Sequence, residues 1–60
     1  MINFEIGEMV TWDGNGKIVV GIYKLTDSKG IAEVNTISVD GRNFRQKVFV
    51  QHSKLEKHIQ

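Results

Sequence analysis

The sequence predicts one all-β domain over residues 1–60: a small five-stranded barrel with a short helical turn before the last strand. Two observations support this prediction. Apolar residues alternate with a period of two, as in strands, and not with the 3.6-residue period of a helix. In addition, three turn signals divide the chain into short runs rich in Val, Ile, Thr, Tyr and Phe: Asp13–Gly16, Asp27–Gly30 and Asp40–Asn43.

The runs between these turns give the predicted elements. Four strands are expected at Glu8–Trp12, Lys17–Thr26, Ile31–Val39 and Phe44–Val50. In Ser53–Glu56 a serine is followed three residues later by a glutamate, which predicts one helical turn with Ser53 as its N-cap. His58–Gln60 is expected to form a brief fifth strand.

Side-chain alternation sorts each strand into two faces. On the second strand one set is wholly apolar, so we expect Ile18, Val20 and Ile22 to face the core. The other residues expected inside are Val10, Trp12, Ala32, Val34, Phe44, Val48, Val50 and Leu55, with Phe4 and Ile6 covering one end. The residues expected outside are Lys17, Val19, Gly21, Tyr23, Glu33, Asn35, Arg45, Lys47 and Phe49.

Two backbone irregularities are expected within the strands. A bulge near Thr36 would return Ile37 and Val39 to the inner face. Gly21, in the middle of the second strand, suits the sharp bend that a small barrel requires.

Composition restricts the classes of function. Eight Lys and Arg against seven Asp and Glu give a net charge of +1, whereas a non-specific nucleic-acid binder is usually more basic. The absence of cysteine excludes disulfides and thiolate metal sites and fits a reducing compartment. With neither a membrane-spanning apolar stretch nor a signal-peptide pattern, we expect a cytoplasmic protein. A domain this small often requires a partner chain, so an oligomer is plausible.

Several segments resemble known small barrels. Phe4–Val10 is similar to the Phe-x-x-Gly-Asp/Glu-x-Val opening of bacterial SH3-like barrels, including KOW and Tudor-type modules. Gly16–Tyr23, Leu25–Val34 and Leu55–Lys57 resemble the second strand, the third strand and the closing turn of type II dihydrofolate reductases. Those enzymes are plasmid-encoded SH3-like barrels that assemble as tetramers. The resemblance implies an SH3-like fold and is compatible with an oligomer.

The resemblance ends at the stretch that would carry reductase activity. The reductase family has Val-Gln-Ile-Tyr on the strand that lines its central pore, where Gln and Tyr help to hold folate and nicotinamide. The corresponding stretch is Val48–Gln51, in which Phe49 replaces the glutamine and Gln51 replaces the tyrosine. Because a fold does not confer a function without its site, we expect no enzyme activity and no cofactor.

Other candidate chemistry is weak. His52 and His58 lie six residues apart without a fixed set of further ligands, and we interpret them as solvated side chains and expect no metal. Asp13–Gly16 has part of a calcium-loop pattern but lacks the distal glutamate, so a hairpin turn explains it. Trp12 could join Tyr23 or Phe44 in an aromatic cage for a cation, but packing at the edge of the core is the preferred interpretation.

The predicted outer face provides the candidate binding residues: Tyr23, Arg42, Arg45, Lys47 and Phe49. Aromatic and cationic side chains together can form a stacking platform for single-stranded nucleic acid. Alternatively, Phe49, Val19 and Tyr23 form a patch that another chain covers, or the face is an ordinary half-polar surface.

The sequence thus leads to an ordered set of functions. The first is a small non-enzymatic module for protein interaction or self-assembly, with a protein partner or a second copy as its ligand. The alternative is a KOW-like module that binds nucleic acid, and the distant alternative is a type II dihydrofolate reductase-like enzyme. Neither a membrane nor a small-molecule cofactor is expected as a partner.

Overall fold

The computed structural model describes residues 2–58 and confirms an all-β chain. Its elements are β1 (Met9–Gly14), β2 (Lys17–Thr26), β3 (Ile31–Val39), β4 (Arg42–Asn43), β5 (Lys47–Gln51), a 3₁₀ turn (His52–Lys54) and β6 (Glu56–Lys57). No helix in residues 2–58 is long and apolar enough to cross a membrane.

The strands form one antiparallel sheet in the order β4-β3-β2-β1-β6. β4 pairs with the end of β3 at Ser38 and Val39, and β5 pairs with residues 31–35 of the same strand. Six strands are therefore present in residues 2–58, where five were predicted for the chain. The sheet is not closed, because β5 and β6 do not pair with each other in the described part of the chain. β1 is covered on both edges, by β2 and by the short β6.

The bounds of the long central strands agree with the sequence prediction, and the differences lie at the periphery. β2 and β3 have the predicted bounds, whereas β1 is displaced toward the turn that follows it. The predicted Phe44–Val50 strand is replaced by β4 and β5. The helical turn begins one residue before Ser53, and no side chain caps it. His58 lies outside the last strand, and residues 59–60 of the predicted fifth strand lie outside the described residues.

The first turn shows why short polar residues separate the strands. Asn15 and Gly16 have φ angles of 55° and 82°, so a two-residue turn with the handedness of a type I′ hairpin joins β1 to β2. The Asp13 carboxylate accepts a hydrogen bond from the Gly16 backbone N–H at 2.8 Å. This turn sets the register that pairs Trp12 with Val19.

The core occupies one face of the sheet. Its buried apolar residues are Val10, Trp12, Val19, Tyr23, Ala32, Val34 and Leu55, and Phe4, Val39, Val48 and Val50 pack against them. The prediction was wrong for Ile6, which is 80% exposed, and for Phe44, which is 44% exposed. Trp12 is 8% exposed within this cluster, which agrees with its interpretation as a packing residue.

The two faces of β2 are exchanged relative to the prediction. Val19, Gly21 and Tyr23 are buried, whereas Ile18 is exposed and Val20 and Ile22 are only partly buried. The prediction chose the face with the most apolar side chains. The structure instead buries the face that contains Gly21, where β3 comes so close that a side chain would not fit.

The close approach at Gly21 can be measured. A Cβ atom at this position would lie 2.6 Å from Val34 Cγ1 and 2.9 Å from the Asn35 carbonyl oxygen. The β2–β3 register also shifts beside Gly21, which pairs with Thr36 while Val20 pairs with Ser38. Ile37 is therefore the extra residue of a bulge close to the predicted one, and Val39 packs against the core as expected.

We predict that Gly21→Ala destabilises the domain by roughly 1–3 kcal/mol, because the new methyl group overpacks against Val34 and the β3 backbone. Urea unfolding measures the change. Gly14→Ala is the control, since its Cβ would lie at a milder 3.2 Å from Val19 Cγ2. Equal stabilities of Gly21→Ala and the wild type would contradict the proposed close approach.

Candidate interaction surface

Four of the five predicted binding residues lie on the surface near the β4 and β5 edge of the sheet. Arg42 is in β4, Arg45 lies in the connection to β5, and Lys47 and Phe49 are in β5; all four are exposed. Phe49 is 67% exposed, a high value for a large aromatic side chain. The Lys47 ammonium lies 4.0 Å from a carboxylate oxygen of Glu33 on the neighbouring strand. Because the lysine side chain is exposed and the two charged atoms are 4.0 Å apart, this pair contributes little to stability.

Tyr23 does not belong to this surface. Its side chain is 7% exposed and belongs to the core cluster, so the prediction that it faces outward was wrong. Its hydroxyl lies 2.6 Å from Thr26 Oγ1, and its ring lies 5.5 Å from the ring of Phe4. Val19 is likewise buried, so the predicted patch of Phe49, Val19 and Tyr23 is not formed.

A different apolar surface takes its place. The residues that β2 turns away from the core are Ile18, Val20 and Ile22, and Leu25 is also exposed, with 51% of its surface accessible. Together with Phe49 on β5 they form what we call the outer patch: Ile18, Val20, Ile22, Leu25 and Phe49. Sequence reasoning missed Ile18, Val20 and Ile22 because it assigned the faces of β2 the wrong way round. It assigned no face to Leu25, which follows a register shift between Tyr23 and Leu25.

Strand register places four members of the outer patch on β2, in the middle of the sheet, and Phe49 on the edge strand β5. Ile22 pairs with Met9 on β1 and with Asn35 on β3. Farther along, Glu33 pairs with Leu25 on one side and with Phe49 on the other, so a carboxylate lies between two apolar side chains. The surface is therefore apolar with a few charged groups.

The opposite side of the sheet carries a buried polar chain. His52 is 7% exposed, which corrects its interpretation as a solvated histidine. Its Nδ1 lies 2.6 Å from Thr26 Oγ1, and its Nε2 lies 2.6 Å from the Ile2 carbonyl oxygen. A carbonyl oxygen can only accept, so His52 Nε2–H donates to the Ile2 carbonyl. With the proton on Nε2 alone, Nδ1 accepts from the Thr26 hydroxyl. The Thr26 hydroxyl oxygen in turn accepts from the Tyr23 hydroxyl.

This hydrogen-bond network of Tyr23, Thr26 and His52 has a structural role. It ties the segment before β1 to the start of the 3₁₀ turn, and the ring of Phe4 lies 5.2 Å from that of His52. No buried side-chain nitrogen or oxygen in the described residues lacks a hydrogen-bond partner. No three His, Cys, Asp or Glu side chains within residues 2–58 are placed to share a metal ion. Sequence reasoning missed the histidine network, because the partners of His52 are distant along the chain.

A surface pocket of about 600 Å³ lies between the start of β2 and β4. Lys17, Asp40 and Arg42 line it with the half-exposed ring of Phe44. The carboxylate of Asp40 accepts a hydrogen bond from the Ile18 backbone N–H at 2.8 Å. Neither cation has an ion pair in the part of the chain described by the structure, so both can contact an anion.

An ion pair connects β6, the last strand, to Glu8. The Lys57 ammonium lies 2.6 Å from Glu8 Oε2 and 5.3 Å from the centre of the Phe4 ring. The hydrogen bond from Lys57, a second one from the Glu5 backbone N–H and the charge of Lys57 together hold the pKa of the Glu8 carboxyl below its usual value of 4.5. These contacts link β6 to the residues that precede β1.

Comparison with known proteins adds no identification, since no protein family, curated protein or solved structure matches this chain.

We predict that Glu8→Gln lowers the thermal midpoint at neutral pH, since it removes the charged partner of Lys57. Because folding lowers the pKa of Glu8, its contribution to stability is complete above pH 4.5 and is lost as the pH falls through the folded value. The difference between variant and wild type should therefore vanish in acid. Calorimetry from pH 7 to pH 2 measures this trend, with Glu5→Gln as the matched control. A difference that persists unchanged in acid would contradict the assignment.

Proposed function

We propose that this chain is a non-enzymatic self-assembly module, in which the outer patch is covered by a second copy of the chain. One observation supports this most directly: β2 is apolar on both faces, yet within residues 2–58 the core forms on only one of them. Strands that are apolar on both faces are typical of sheets with a layer on each side. A second copy would supply the missing layer.

The charges of the surface favour a like partner. Net charge is only +1, so two copies repel each other weakly. Glu33 and Lys47 place opposite charges beside the apolar residues, and a twofold contact could bring the carboxylate of one copy near the ammonium of the other. Burying a side chain as large as Ile or Phe contributes about 1.5–3 kcal/mol, which matters for a domain whose own stability is only about 3–5 kcal/mol.

We also propose that the fold is an SH3-like barrel that remains open. The pairing of β1 with both β2 and the last strand supports this, as does the single 3₁₀ turn before that strand. A reductase activity is not part of the proposal, because Phe49 and Gln51 stand where the resembling family has its ligand-holding Gln and Tyr.

Self-assembly predicts that Ile18→Lys weakens association by about tenfold or more without unfolding the chain, since Ile18 is 56% exposed in the single copy. Sedimentation over a wide concentration range measures the species present. Ile6→Lys is the matched control, because it makes the same change at an 80% exposed residue that lies outside the sheet. A wild type that stays monomeric at every concentration would refute the proposal.

A KOW-like nucleic-acid module is the second candidate, favoured by the pocket in which Lys17 and Arg42 lie beside Phe44. Bases could stack on the exposed ring while the two cations contact phosphates. This hypothesis predicts that affinity for a labelled single-stranded oligonucleotide falls with salt, with a slope of about −0.7 per phosphate contact. Fluorescence anisotropy measures it. Replacing both Lys17 and Arg42 with Gln should reduce the slope, and replacing Lys24 and Lys29 should not.

A further inference from the structure

The hydrogen bonds between β3 and β5 show which backbone groups of β5 point toward β3 and which point to its free edge. The Thr36 N–H donates to the Gln46 carbonyl at 2.8 Å, and the His52 N–H donates to the Gly30 carbonyl at 2.9 Å. These two bonds bracket the β3–β5 ladder, in which Val34 pairs with Val48 and Ala32 with Val50. Bonded pairs alternate in antiparallel sheets, so Val48 and Val50 direct their backbone groups toward β3.

The intervening residues of β5 must therefore direct their backbone groups away from β3. These residues are Lys47, Phe49 and Gln51, and no other strand in residues 2–58 pairs with that edge. β4 and β6 are only two residues long, whereas β5 has five. Neither a proline nor an inward-pointing charge blocks the β5 edge, and such edges are templates for another strand.

We propose that β5 pairs antiparallel with β5 of a second copy, around a twofold axis at Phe49. This inference rests on the proposed self-assembly and specifies a contact for it. The register places Phe49 opposite its symmetry mate and Lys47 opposite Gln51 of the partner. Each of these pairs can exchange two backbone hydrogen bonds, because the groups of all three residues point to the shared edge.

The side chains are compatible with this register. Lys47 faces a neutral glutamine across the axis, so no like charges oppose each other. The two Phe49 rings become direct cross-strand neighbours on the outer side of the joined sheet, where aromatic pairs are favourable. Edge pairing leaves Ile18, Val20 and Ile22 of the outer patch uncovered, so one chain can form both contacts.

Gln51→Pro tests the edge directly. Gln51 has a φ of −59°, which proline adopts without strain, and its N–H is one of those that point away from β3. The variant therefore keeps the fold of the single copy while it removes a donor from each side of the twofold contact. We expect its dimer dissociation constant to rise by about tenfold or more. Gln51→Ala, which retains the N–H, should associate like the wild type.

Amide hydrogen exchange provides a second readout. Edge pairing predicts that the amides of Lys47, Phe49 and Gln51 become protected as concentration rises, while those of Val48 and Val50 are protected throughout. A wild-type oligomer in which these three amides stay unprotected, and which Gln51→Pro leaves intact, overturns edge pairing. If Ile18→Lys dissociates that same oligomer, self-assembly through the outer patch stands. A wild type that is always monomeric overturns both.

Discussion

The contact between β2 and β3 at Gly21 decides which side of the sheet becomes the interior. Val34 Cγ1 and the Asn35 carbonyl occupy the space that a side chain at Gly21 would fill, so this face of β2 must be the one that β3 closes over. Burying Gly21 also buries its neighbours Val19 and Tyr23, since residues two apart share a face. Tyr23 in turn brings its hydroxyl to Thr26 and thereby to His52. The close approach at Gly21, the core and the hydrogen-bond network of His52 thus lie on the same face of β2.

The same contact explains what could be predicted from the sequence. Periodicity and turn residues act locally, and they gave the bounds of β2 and β3 and the separating turns. The inner face of β2 depends on Val34, which is distant along the chain, and hydrophobicity alone favoured the opposite face because it contains three aliphatic residues. The surface positions of four residues were predicted correctly, because none of them lies on β2, whose two faces were exchanged. These residues are Arg42, Arg45, Lys47 and Phe49.

Histidine 52 illustrates a second limit of sequence reasoning. Its partners are Thr26 and the carbonyl of Ile2, which lie 26 and 50 residues away along the chain. No spacing rule connects such positions, and a lone histidine near a turn has the pattern of a solvated side chain. The polar groups of this network are all engaged in hydrogen bonds, so they stabilise the fold. The apolar residues that this core does not enclose lie on the other face of β2.

Trp12 gives the molecule an internal optical reporter. It is the only tryptophan, it is 8% exposed, and it lies on the inner face of the sheet, opposite the outer patch. Its fluorescence emission will therefore move to longer wavelength when the core opens to water, but not when two intact copies separate. In the unlabelled protein this signal therefore reports opening of the core and not contacts on the opposite face of the sheet.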